Sequence, residues 1–285
     1  MTGWRWNAAR VAFLLAVVAG AYLSWRGSRA ELASAFAQVA PVEVGAGLVL
    51  VVTGLIATGW VWHAALRTFG QEGALTATVP IFFVGQLGKY IPGSIWSFGA
   101  QATLAGRQGI PGRAAVAASG LFLLAHLATG FLLAGLLAVV TPLPAVVAVA
   151  TVPGLVGLAP ALHRWAGSRL AGRPCTWSWR TSATVLVPML VAWTAYGLAL
   201  HLLVDEPGWR NVATMVAAFA LAHAAGVLVP IAPAGLGARE AVLVALLQPV
   251  LGTGPAAVVA IMGRLLHTVA DFVVAGLAWV VSRRG

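Results

Sequence analysis

The stretch Val84–Pro111, VGQLGKYIPGSIWSFGAQATLAGRQGIP, decides how this chain folds. An apolar helical run is interrupted at Pro92-Gly93, and Gln86, Lys89, Tyr90 and Gln101 stand around the interruption within otherwise bilayer-grade sequence. Proline removes a backbone donor and glycine admits the conformations that end helices, so the run must break there. The flanking pieces, Thr76–Tyr90 and Ser94–Ala105, fall well short of the roughly 20 residues needed to cross a ~30 Å hydrocarbon core. A re-entrant hairpin of two half-helices is the expected form. A second break, VPIAPAGLGAREAVLVALLQP at Val229–Pro249, repeats the theme with more charge.

Working outward, the 285 residues are 60% hydrophobic and 8% charged, against about 25% charged in soluble domains. A transmembrane barrel needs alternating strands of about ten residues, whereas these apolar runs exceed twenty, so the fold class is an all-α polytopic membrane protein. The net charge of +10 comes from 17 basic residues scattered between apolar runs. They build no nucleic-acid-binding domain, and a membrane face rich in anionic lipid accounts for them. One cysteine, Cys175, excludes an internal disulfide and a multi-thiolate metal site. No cofactor or metal is expected.

The remaining runs read as spans: Ala8–Trp25, Val42–Leu66, Ala114–Val140, Ala145–Leu162, Ala183–Val204 and Ala256–Val281. For Ala8–Trp25 a cleavable signal peptide is the competing reading. His163–Ser182 reads as a polar loop whose four arginines and no acid mark it cytoplasmic; counting spans then puts both termini on the cytoplasmic side of the cytoplasmic membrane. The chain is expected to be one transmembrane domain whose halves, 1–141 and 142–285, share a plan of three spans and a broken element. If both breaks re-enter, the halves are inverted repeats, giving six spans plus two hairpins; eight spans result if Val212–Pro230 crosses by itself.

An ionisable group in hydrocarbon costs at least ~2.5 kcal/mol, so each needs a partner or a task. Lys89 sits at the carbonyl end of a half-helix, where it can complement the dipole or meet a headgroup. Arg239 and Glu240 follow Gly235-Leu236-Gly237 at a helix start. The acid suits that place; the arginine is misplaced there unless an anion such as phosphate is shared with the helix end. The alternative is internal pairing, Arg239 with Asp271 and Glu240 with Lys89. Arg264, His267, Thr268 and Asp271 share one face of the last span, which should turn inward. Arg264 and Asp271 are two turns apart, which implies other partners for each. His126 and His223 read as core histidines, and no metal-ligand spacing is present. Trp96 and Tyr90 could line a groove for a lipid chain or anchor at an interface.

Tyr90-Ile91-Pro92-Gly93-Ser94-Ile95-Trp96 with the following Arg107-Gln108-Gly109-Ile110, the distal PAGLGAREAVL, and Arg264 together resemble the lysylphosphatidylglycerol synthase transmembrane-region family of flippase-like proteins. The resemblance covers nearly the whole chain. It implies movement of lipid-linked or aminoacylated headgroups across the cytoplasmic membrane, with Tyr90, Pro92, Gly93, Trp96, Gly235, Gly237, Arg239, Glu240 and Arg264 at the motif positions. The soluble aminoacyl-transfer domain of the full synthases is not found here, so an enzyme of that kind is not expected. Ser97-Phe98-Gly99-Ala100 also lacks the acid that many relatives carry after the first Pro-Gly. The expected function is a flippase-like carrier of an anionic lipid, with Lys89, Arg239, Arg264 and Asp271 at the headgroup. A small-solute secondary transporter and a membrane partner of an envelope glycosyltransferase are the alternatives.

Overall fold

A computed structural model describes residues 29–91, 96–204, 208–229 and 233–282. The expected span Ala8–Trp25, the turn residues Pro92 and Gly93, and the acids Asp205 and Glu206 lie outside the described residues. Among the described residues the chain forms eleven α-helices and no strand. They are α1 Arg29–Gln38, α2 Pro41–Arg67, α3 Leu75–Gln86, α4 Trp96–Arg107, α5 Gly112–Leu137, α6 Thr151–Gly157, α7 Pro160–Ala171, α8 Trp179–His201, α9 Trp209–Leu228, α10 Ala238–Leu251 and α11 Thr253–Ser282. Five of them, α2, α5, α8, α9 and α11, are long and apolar enough to cross a membrane, and the bent run Ala145–Ala171 would be a sixth if it counts as one broken span. The fold is an all-α polytopic membrane fold.

The first break closes as a hairpin. α3 continues into a 3-10 turn, Leu87–Tyr90, and α4 returns alongside it, so that Gly85 faces Gln101 and Gly88 faces Ser97. Each arm has 12 residues, about 18 Å of helix, less than a bilayer core. A buried polar chain pins the returning arm: the Trp62 indole donates to Ser119 Oγ at 2.9 Å, Ser119 donates to Gln101 Oε1, and Gln101 Nε2 reaches the Phe82 carbonyl. Around it Trp62 stacks on Phe82, which meets Phe122 edge-on.

The second break is also a hairpin, and α9 at 20 residues is its longer arm. Its turn, Pro233–Gly235, puts Ala234 at φ 48 and Gly235 at φ +70. A Cβ on Gly235 would lie 2.6 Å from Gly226 Cα, so only glycine lets the turn close on α9.

The expected regular span Ala145–Leu162 is a correction. It starts as a 3-10 turn, Ala145–Ala150, and bends by 63° between α6 and α7, yet the broken element tracks α5 antiparallel throughout. Gly135 faces Thr151, Gly154 faces Leu132, Gly157 faces Ala128 and Gly167 faces Leu121. Backbone contact through these glycines holds a path that helix geometry alone would not. The expected polar loop His163–Ser182 is likewise helical as far as Ala171. His163 stacks on the fully buried Trp177 at 4.1 Å, and Arg164 donates to the Trp177 carbonyl.

Short connections set the ends of the bundle. Arg67, Arg107, Arg113, Arg164, Arg169, Arg173 and Arg180 all fall at one end, where Thr176 N–H donates to the Thr68 carbonyl and ties the α7–α8 loop to the end of α2. The hairpin α3–α4 enters from this arginine end, and α10 runs from its turn to the opposite end. The turns of the two hairpins meet inside the bundle.

Candidate functional site

Where the turns meet, the bundle holds a partly open cavity of about 230 Å³. α11 runs past both turns and presents Arg264, His267, Thr268 and Asp271 to it, the inward face expected from their spacing. The first hairpin contributes Lys89, Tyr90 and Gln101, the second Gly235 and Arg239. Residues 89 and 271, far apart in the chain, become neighbours because each hairpin ends against the middle of α11.

Two ion pairs connect the hairpins to α11. Lys89 Nζ lies 2.6 Å from Asp271 Oδ2, and the same oxygen accepts the Tyr90 hydroxyl at 2.7 Å. Arg264 Nη1 donates to Glu240 Oε1 at 2.6 Å, while the other Glu240 oxygen accepts the Gly237 backbone N–H at 2.6 Å. Glu240 therefore satisfies an orphan donor at the start of α10 and neutralises an arginine at once. Internal pairing of the charges is present, but with the partners exchanged relative to the sequence-based alternative: Asp271 takes Lys89 and Glu240 takes Arg264.

Arg239 is left over. It is 9% exposed, and its guanidinium carbon stands 4.5 Å from the centre of the Phe219 ring, a cation–π contact. Among the described residues no carboxylate lies within 4 Å of it. Three cations, Lys89, Arg239 and Arg264, thus face two carboxylates, Asp271 and Glu240, and the site carries one excess positive charge. Burying an uncompensated cation costs several kcal/mol even after relaxation.

The predicted site residues separate into two groups. Lys89, Tyr90, Gly235, Arg239, Arg264 and Asp271 line the cavity. Glu240 and Gly237 stand behind it and act through Arg264 and the helix start, and Trp96 is 50% exposed and not on the cavity wall. Pro92 and Gly93 belong to the undescribed turn. Several wall residues carried no signal in the sequence reading, among them Ser119 and Tyr196. An isolated tyrosine in the middle of an apolar span was the available clue to Tyr196, whose ring lies 4.8 Å from that of His267. His126 and His223, expected as core residues, also reach the wall, with rings 4.9 Å apart. Among the described residues no three His, Cys, Asp or Glu side chains converge as a metal site would require.

Compared with known proteins, the chain matches no family model and no curated protein.

Proposed function

We propose that this chain carries an anionic lipid headgroup across a membrane, the headgroup passing through the cavity between the two hairpin turns while the hydrocarbon stays in the bilayer. The observation that carries this reading is the excess cation: Arg239, buried without a carboxylate within 4 Å among the described residues, at the wall of a cavity whose other charges are paired. Arginine grips phosphate with two parallel hydrogen bonds, and an anion there removes the cost of the buried charge. Size agrees. Pockets for whole drug-sized ligands run about 300–1,000 Å³, and 230 Å³ is of a size that suits a headgroup. Two hairpins entering from opposite ends provide one element to open toward each side, as in alternating access. We place the protein in the cytoplasmic membrane with the arginine end inside, in keeping with the positive-inside rule.

The test is reconstitution into liposomes with fluorescently labelled phosphatidylglycerol and an impermeant quencher. The wild-type protein is expected to expose label from both leaflets and to leave labelled phosphatidylcholine in place; Arg239→Gln should slow the movement tenfold or more, on the order of one lost charge-assisted contact. Equal rates for the variant would remove Arg239 from the model.

A second reading, a proton-coupled transporter of a small anion, is favoured by one feature. Among the described residues, His223 Nδ1 and His267 Nε2 are buried without hydrogen-bond partners, and both residues line the cavity. Uptake of a soluble anion by liposomes in which labelled lipid does not move would select it.

A further inference from the structure

The cavity has a mouth and a depth. Side-chain exposure falls from 33% at Lys89 through 20% at Arg264, and Arg239 is 9% exposed. Lys89 is thus the most exposed of the three cations, and Arg239 is buried.

The two carboxylates hold their cations in different ways. Glu240 is built into the start of α10 by the Gly237 N–H, so its position belongs to the local fold. Asp271 instead spends one oxygen on two groups of a different element, the Lys89 ammonium and the Tyr90 hydroxyl, both in the turn Leu87–Tyr90. The Tyr90 ring also stacks on Phe272, the next residue of α11. A single carboxylate on a through-running helix thus latches the tip of a hairpin too short to span.

We propose that Asp271 is an internal competitor for the ligand. In the empty site it holds Lys89 and Tyr90; a phosphate group that reaches Arg239 takes Lys89 from it and releases the first hairpin from α11. The inference rests on the reading of the cavity as an anion site. Its physical basis is a balance of contacts. A phosphate bridging Arg239 and Lys89 makes two charge-assisted contacts for the two that Asp271 gives up, to Lys89 and Tyr90, and it also neutralises the buried Arg239, whereas an uncharged group makes none that could replace the carboxylate. Asp271 therefore makes release of the hairpin conditional on charge, and the hairpin at the arginine end is the element that moves.

The experiment measures binding of short-chain phosphatidylglycerol, and in a separate arm inorganic phosphate, to protein in nanodiscs of phosphatidylcholine. Asp271→Asn is expected to bind the anion on the order of tenfold more tightly than wild type, because the competing charge is gone, and the gain should vanish in a Lys89→Gln background. Backbone hydrogen exchange over Leu87–Ile91 in the unmutated protein should speed up when phosphatidylglycerol is added, a readout that needs no variant to fold. Unchanged affinity in Asp271→Asn, an equal gain without Lys89, or exchange that is unchanged or slowed would each overturn the competitor. If the gain appears with inorganic phosphate and not with phosphatidylglycerol, the competitor stands and the lipid reading falls.

Discussion

Ser119 shows how a single hydroxyl can fix a half-helix. It receives the Trp62 indole and donates to Gln101, so its removal strands two buried polar groups on separate elements. Leaving a buried donor or acceptor unmade costs about 1–3 kcal/mol, and Ser119→Ala should lower the Tm of the detergent-solubilised protein by several degrees. An unchanged melting curve would show that the returning arm is held by packing alone. Gly235→Ala should be worse. The new Cβ meets Gly226 backbone and the residue must keep a left-handed φ, a conformation costing about 1–2 kcal/mol before the clash is counted. Which charges come together was legible at this scale and how they pair was not. Lys89, Arg239, Glu240, Arg264 and Asp271 stand out because ionisable groups are rare in such sequence. Their partners depend on how two hairpins abut a distant helix, and no local pattern encodes that.

Elements divide by whether hydropathy alone defines them. α2 and α11 match the runs Val42–Leu66 and Ala256–Val281 to within a few residues, because nothing interrupts them. The first hairpin was legible from Pro92-Gly93 and the shortness of its arms. The path from Ala145 to Ala171 reads as a span and a loop, although Pro160, the first residue of α7, marks the 63° bend, because the run is apolar on both sides of it and its last part looks polar. What shapes it is close packing on α5. A Cβ on Gly154 would lie 2.6 Å from Leu132 Cα, so Gly154→Leu must push the broken element off its neighbour. Overpacking of this kind costs typically about 1–3 kcal/mol. The expected outcome is a lower Tm with lipid binding retained, because α6 contributes nothing to the cavity wall; loss of binding at unchanged Tm would mean that the broken element takes part in the site.

At the scale of the molecule, charge asymmetry and hairpin geometry make one joint statement. Seven arginines gather at the end where the α3–α4 hairpin enters, against one described acid, Glu72; the opposite end has Glu43 and Arg210 in the described chain, with Arg29 and Glu31 in the helix α1 that leads to it. In the orientation we propose from the positive-inside rule, with the arginine end at the cytoplasm, the latched hairpin would open inward and the arginine-bearing hairpin outward. Labelling with a membrane-impermeant maleimide tests this in a background carrying Cys175→Ser, a swap at a buried thiol. Gln108→Cys lies in the exposed α4–α5 connection at the arginine end, and Val140→Cys lies beyond α5 at the other. Only Gln108→Cys should label from the cytoplasmic face, in inverted vesicles, and only Val140→Cys from the outer face. Labelling of both from one face would show that α5 does not cross. The reverse pattern would keep the fold and exchange the roles of the hairpins, so that the carboxylate latch would guard the outer side.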